Sequence, residues 1–261
     1  MRSGGLQTWG GRPVRVGPHP EAGRILAAFP SWAAFRAGGT VAAFKRDRKT
    51  SLSWWSAPGF AGLALKFYHD RFPAPPGWPL AVGRAGRSWR AGAVLEAAGV
   101  PVPRRVFLAR VGPRTRVLAL ERLAGARPLV DLVRAGAAGP GLFHRVGEAV
   151  GRMHAAGVIH GDLKWVNVLA VPGGEESAPG RVWLLDLDAA RRPRLRRGLF
   201  RGAVRDVARF LRAAAEAGAS GTETAAFSEG YRWSAPFEGS EAVVAAGAQE
   251  AERWAARRAG S

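Results

Sequence analysis

Three strand-like apolar runs open the ordered pattern: Thr40 to Lys45, Thr50 to Ala57, and Leu63 to Tyr68. Arg46-Asp47-Arg48-Lys49 and Pro58-Gly59-Phe60-Ala61-Gly62 separate them. Both separators are turn material, so the pattern predicts an antiparallel meander. A Pro-rich stretch at 72–79 leads to a predicted helix over 82–98, which Gly99-Val100-Pro101-Val102-Pro103 stops. Strands follow at Val106 to Val111 and Arg116 to Leu120, joined by Gly112-Pro113. Residues 1–38 are Gly- and Pro-rich with weak periodicity, and read as an N-terminal extension with one short helix.

After Ala124-Gly125 the period changes. Leu142, Phe143, Val146, Ala149, Val150 and Met153 recur at helical spacing and predict one long buried face, ended by Gly157. Two short strands, Val168 to Val171 and the run Val182-Trp183-Leu184-Leu185, flank a polar Gly-rich turn at 172–180, and the remainder reads as helix. The expected division is an extension at 1–38, a five-strand sheet with one helix at 39–122, and a helical part at 123–261.

Composition narrows the class. Hydrophobic residues make up 47% of the 261, with ten Trp and twelve Phe, so the chain is globular rather than disordered. Trp54, Trp55, Trp78 and Trp89 read as packing residues. The absence of Cys excludes disulfides and thiolate metal sites, and the five His show no metal-ligand spacing. No stretch approaches the roughly 20 apolar residues of a membrane span, and no signal-peptide core precedes the domain, which points to a cytoplasmic or peripheral protein. The net charge of +19 would draw a nucleic acid, an anionic membrane surface or a phosphorylated substrate. Only four of the 39 basic residues are Lys (45, 49, 66 and 164), and a point charge kept among so many planar guanidinium groups suggests a geometric demand.

The candidate chemistry centres on His160-Gly161-Asp162-Leu163-Lys164-Trp165-Val166-Asn167. Asp162 and Asn167 lie five apart on a loop between a helix and a buried strand, and Asp186 ends the next strand. Taken singly they would read as a helix cap and two turn residues. Together they form an oxygen-rich set that suits Mg²⁺, with Asn167 and Asp186 placed to hold the metal and Asp162 to take a proton from an attacking hydroxyl. Lys66 alone would pass for a surface lysine on an edge strand, and Lys164 for an exposed loop charge.

His160-Gly161-Asp162-Leu163-Lys164-x-x-Asn167 resembles the catalytic loop of the protein-kinase-like superfamily. Leu185-Asp186-Leu187-Asp188 resembles its metal-binding segment, and Leu63-Ala64-Leu65-Lys66 its phosphate-binding strand. The finer resemblance is to the lipopolysaccharide core kinases, which phosphorylate Kdo or heptose. It rests on Gly99-Val100-Pro101-Val102-Pro103, Glu121-Arg122-Leu123-x-Gly125-Ala126, His154-x-x-Gly157-x-x-His160-Gly161-Asp162, Leu185-Asp186-x-Asp188-x-x-Arg191 and Arg205-Asp206-Val207-Ala208-Arg209, and covers about residues 40–215.

That resemblance implies an α+β, protein-kinase-like fold of two lobes, a small antiparallel sheet lobe and a mostly helical one. It implies ATP and Mg²⁺ as cofactors. Lys66, with Glu121 and Leu123 of the connecting segment, would bind the nucleotide. Asp162 would act on the acceptor hydroxyl, Lys164 on the transferring phosphoryl group, and Asn167 and Asp186 on the metal. His160 and Asp206 would brace the loop, Asp188 would anchor Arg191 or serve as a second metal ligand, and Glu96 is the one acid in the predicted helix that could pair with Lys66.

Four departures argue against a regulated protein kinase. No Gly-rich loop joins the first two strands of the meander. Gly161 stands where such kinases carry the arginine that grips a phosphorylated loop. No A-P-E element follows Asp188, since Ala235-Pro236-Phe237-Glu238 comes too late, and Asp188 itself replaces a glycine. The acceptor is then an anionic glycolipid or a small molecule. Seven arginines between Arg191 and Arg205 offer a docking surface for it or for anionic membrane lipid, on the cytoplasmic face of the inner membrane. The alternatives are a kinase of a small metabolite or antibiotic, an RNA-maturation kinase drawn to nucleic acid, and a non-catalytic nucleotide-binding module.

Overall fold

In the computed structural model, which describes residues 6–46, 49–73, 80, 82–173, 180–235 and 239–259, the chain divides into two units. One comprises Met1–Ala93 and Pro103–Ala124, the other Val94–Val102 and Gly125–Ser261. The predicted packing residue Trp78, most of the Pro-rich stretch, the centre of the 172–180 turn and Pro236-Phe237-Glu238 lie outside the described residues.

The first unit is built on an antiparallel sheet. Its strands are β1 (Leu6–Trp9), β2 (Arg12–Val16), β3 (Thr40–Arg46), β4 (Thr50–Ser56), β5 (Leu63–His69), β6 (Arg105–Gly112) and β7 (Thr115–Glu121), in the order β1-β2-β6-β7-β5-β4-β3. Helices α1 (Glu21–Ala28) and α2 (Trp32–Ala37) precede β3, and α3 (Gly83–Ala97) precedes β6. Side-chain alternation sorts β5 between two cores. Leu63 and Leu65 join Trp55, Val117 and Ala119 in a core shared with Trp9, Ile25, Phe35 and Phe107. There Phe35 stacks on Trp55 at 4.3 Å, and the Trp55 indole N–H donates to the Phe35 carbonyl. Tyr68 faces the other way and packs with Leu108 and Leu118 beneath Ala85 and Trp89 of α3.

Two expectations are corrected. The sheet has seven strands rather than five, and residues 6–37 are not an appendage. Trp9 and Arg12 pair across Gly10-Gly11, both at positive φ (55° and 72°), which is the two-residue turn a tight hairpin requires. The resulting hairpin adds to β6 through Val14, Arg15 and Val16. Its strands are too short and too mixed in polarity to announce themselves by alternation, and the glycines that suggested a loose tail form its turn.

The second unit contains β8 (Arg127–Pro128), α4 (Leu129–Arg134), α5 (Pro140–Ala155), β9 (Val168–Val171), β10 (Arg181–Leu184), α6 (Arg196–Glu216), α7 (Gly221–Ser234) and α8 (Ser240–Ala259). The face expected for α5 is buried at every named position from Leu142 to Met153. Phe143 contacts Trp165 and Phe210, and Phe210 stacks on Phe227 of α7 at 4.1 Å. These rings tie α5, α6 and α7 to the loop that carries Asp162.

Candidate active site

That loop leaves α5 at Gly157 and is pinned first by Ile159, which exchanges both backbone hydrogen bonds with Arg191 at 2.9 and 3.0 Å. Beyond it, apolar side chains decide which way the polar ones point. Leu163, Trp165 and Val168 are buried, and the Trp165 indole donates to the Phe210 carbonyl at 3.0 Å. Lys164 is thereby exposed, and Asp162 and Asn167 are half-buried. A 3₁₀ turn, Trp165–Asn167, delivers the chain into β9.

Asp206 of α6 holds the backbone. Its buried carboxylate accepts the N–H groups of His160 (2.7 Å) and Gly161 (2.9 Å), and the His154 ring lies at 3.3 Å. His154 also meets the Tyr231 hydroxyl at 2.9 Å. One turn along α6, Arg209 donates to the Gly161 carbonyl, so Gly161 is held through both its N–H and its C=O. Gly161 has φ +80°, and a Cβ there would sit 2.8 Å from the Ala189 carbonyl oxygen. Glycine replaces the usual arginine at this position because the backbone needs it.

The His160 ring is wholly buried. Its Nε2 meets the Leu185 carbonyl at 2.7 Å, and its Nδ1 accepts the Asp162 N–H at 3.3 Å. Both nitrogens are satisfied by the neutral ring with the proton on Nε2. Burial pushes its pKa below the ordinary 6.5, against the opposing pull of the Asp206 carboxylate, the Leu185 carbonyl, Asp186 and Asp162. The expected bracing role is what these bonds perform, and the same holds for Asp206.

The reactive side chains gather around Asp162. Lys164 Nζ lies 3.1 Å from its carboxylate. The Asn167 amide N–H₂ donates to the Asp162 carbonyl at 2.9 Å and reaches its carboxylate at 3.5 Å, which turns the amide oxygen the other way. The Asn167 carbonyl accepts Leu185 N–H at 2.8 Å, bringing the residue before Asp186 alongside. Asp186 is exposed and is the one non-glycine residue at positive φ among those described (φ 58°, ψ 57°). Such a conformation costs about 1–3 kcal/mol and persists where the surroundings impose it. No cluster of three His, Asp or Glu with metal-binding geometry occurs among the described residues. The candidate donors are instead two carboxylates and an amide oxygen, a hard set compatible with Mg²⁺.

Of the remaining predicted residues, Lys66, Glu121 and Leu123 lie in the first unit and Glu96 in the second. Lys66 sits in the middle of β5, opposite Leu52 and Leu118, with Nζ 5.3 Å from the Tyr68 ring centre. Glu121 ends β7. Its carboxylate accepts the Arg104 N–H at 2.8 Å and lies 3.9 Å from His19, so its side chain is committed within the unit. Leu123, half-buried, follows two residues later. Glu96 occupies the last turn of α3. Sequence reasoning assigned no role to Arg209, His154, Tyr231 or Trp165. Tyr231 reaches His154 across 77 positions, a contact that no local pattern encodes.

The architecture is protein-kinase-like. A likeness to WaaP in complex with acyl carrier protein covers 92% of this chain and 98% of that one, with a TM-score of 0.58 at 18% identity. A second, to the Rio2 kinase–ADP/Mg²⁺–phosphoaspartate complex from Chaetomium thermophilum, covers 81% and 69%, with a TM-score of 0.51 at 15% identity. Within that class, the chain belongs to the lipopolysaccharide kinase (Kdo/WaaP) family, whose profile matches residues 61–231. A curated relative, 3-deoxy-D-manno-octulosonic acid kinase of Stenotrophomonas maltophilia (strain R551-3), is 35% identical over 132 residues. The match spans 49% of this chain and about half, 48%, of that relative's length.

Proposed function

We propose that the protein is an ATP-dependent kinase that phosphorylates a sugar hydroxyl, on Kdo or heptose, of the lipopolysaccharide inner core or a related glycolipid. The observation that carries this reading is the Asp162 carboxylate, flanked by Lys164 and Asn167 on a backbone clamped by Asp206. Family membership supports the reaction class.

In this reading Asp162 orients the acceptor hydroxyl and takes its proton as the oxygen forms a bond to the γ-phosphorus of ATP. The bond from that phosphorus to the bridging oxygen breaks, and ADP leaves. Lys164 exchanges its contact with Asp162 for the transferring phosphoryl oxygens. Lys66 holds the nucleotide phosphates, and the backbone around Glu121 and Leu123 borders the base. Asn167 and Asp186 would hold Mg²⁺, which would supply charge neutralisation for the phosphates. The strained backbone of Asp186 fits a residue whose position, rather than its comfort, matters.

The described helices include none long and apolar enough to cross a membrane. Arg191, Arg192, Arg194, Arg196, Arg197, Arg201 and Arg205 are all exposed, and this run would hold the protein at the anionic cytoplasmic face of the inner membrane, where a glycolipid acceptor resides. The test is incubation with ATP and Mg²⁺ against a panel: Kdo-lipid A, a heptosylated core acceptor, and soluble hydroxylated metabolites. Phosphate transfer to an inner-core sugar, abolished by chelation of Mg²⁺, is expected. Transfer confined to soluble metabolites would reject the glycolipid acceptor, and no transfer at all would reject the reaction.

A further inference from the structure

Trp54 and Trp55 are neighbours on β4 and therefore point to opposite faces of the sheet. Trp55 is fully buried in the aromatic core. Trp54 is half-exposed on the face that carries Lys66, directly opposite Ala64 of β5, with Leu52 opposite Lys66. It does not share the packing role of Trp55 and Trp89.

Two further groups meet the Trp54 ring. Phe44 of β3 approaches it at 5.5 Å between centroids with a 53° tilt, and the Arg122 guanidinium lies 5.2 Å above it. Arg122 is held there by a backbone hydrogen bond to Gly62 at the foot of β5. Phe44 is 65% exposed. It falls where the β3–β4 register slips, between Ala43 and Lys45, and a bulge is a device that re-aims a side chain. An exposed aromatic on an edge strand is a liability that needs a reason. On the same sheet face, Ala85 and Trp89 of α3 pack with Tyr68, Leu108 and Leu118.

We propose that Trp54, with Phe44 and Arg122, is a stacking platform for the nucleobase of the nucleoside triphosphate. The proposal rests on the reading of Lys66 as the phosphate-binding lysine. The chemistry is complementary: indole and phenyl faces accept a flat heteroaromatic ring, Lys66 supplies positive charge on the side of its phosphate tail, and Arg122 flanks the ring at the other end, beside Gly62. Lys66 is two residues along β5 from the position opposite Trp54, about 7 Å, so base and phosphates address one sheet face. Stacking then supplies affinity that a Gly-rich loop supplies elsewhere.

Calorimetric titration of the full chain with Mg-ATP and with magnesium tripolyphosphate separates base from phosphate binding. The parent is expected to bind ATP more tightly than tripolyphosphate. Trp54→Leu should weaken ATP at least ten-fold and leave tripolyphosphate within two-fold, Trp54→Phe should restore most of the loss, and Phe44→Ser should weaken ATP about three-fold or more. Phe44 is exposed, so that variant keeps the test valid if Trp54→Leu unfolds. ATP affinity unchanged in both variants, or a parent that binds the two ligands equally, overturns the platform and leaves Lys66 as a phosphate ligand. A parent that binds neither ligand overturns the nucleotide reading as well.

Discussion

His160 illustrates how one residue can fix the geometry of a site without touching substrate. Its neutral ring joins the Asp162 N–H to the Leu185 carbonyl, so the two segments that carry the candidate base and the candidate metal ligand share a pivot. Because burial depresses its pKa, the unfolded chain takes up a proton here before the folded one does. The contribution to stability is complete above about pH 6.5 and is lost as pH falls from there through the lower folded value. Unfolding midpoints in urea from pH 7.5 down to 4.5 should therefore fall more steeply for the parent than for His160→Gln. His19, also depressed by burial, is present in both, so it does not create the difference. Parallel profiles would contradict a buried neutral His160. At this scale the sequence was informative where a role follows from a local motif: Asp162, Asn167 and Lys164 meet because they are within five positions. Arg209, His154 and Tyr231 escaped because their partners lie 48, 52 and 77 positions away.

At the scale of elements, periodicity was a sound guide wherever an element buries one face. β3, β5, α3, α5 and β9 fall within a residue or two of their expected bounds. The β1–β2 hairpin did not register, because four- and five-residue strands offer too few positions for alternation to stand out from noise. Its burial has a measurable consequence. Trp9 lies in the aromatic core between Phe35 and Phe107. Replacing it by Ala should cost about 3–5 kcal/mol in chemical denaturation, the range for deleting a buried large aromatic. A loss below about 1 kcal/mol would mean that the hairpin is the loose extension its composition suggested. Helix α6 carries two kinds of residue on one rod: Asp206 and Arg209 grip the loop, while Arg196, Arg197, Arg201 and Arg205 are exposed to solvent.

For the molecule as a whole, the excess of positive charge was plain in the composition but its purpose was not. The structure leaves the seven arginines from Arg191 to Arg205 exposed, with the apolar side chains of Leu195 and Phe200 also exposed among them. Basic and apolar groups intermixed in this way suit an anionic lipid surface. Changing Arg192, Arg194, Arg196 and Arg197 to Gln should weaken sedimentation with vesicles rich in phosphatidylglycerol by at least ten-fold and flatten its salt dependence. The thermal midpoint should stay within about 2 °C, since all four are exposed. Equal sedimentation of parent and variant would remove the surface from the account, and tight salt-dependent binding of RNA with none to vesicles would reassign it to nucleic acid.

If Asp162 acts on the acceptor hydroxyl while other residues bind the nucleotide, parent and Asp162→Asn should differ in one of two readouts on the same preparation and agree in the other: turnover with the acceptor that accepts phosphate, and the dissociation constant for Mg-ATP. Turnover should fall by about 10²–10⁴-fold, the range for loss of a general base, with ATP affinity within about three-fold. Turnover unchanged in the variant would contradict the assignment of Asp162.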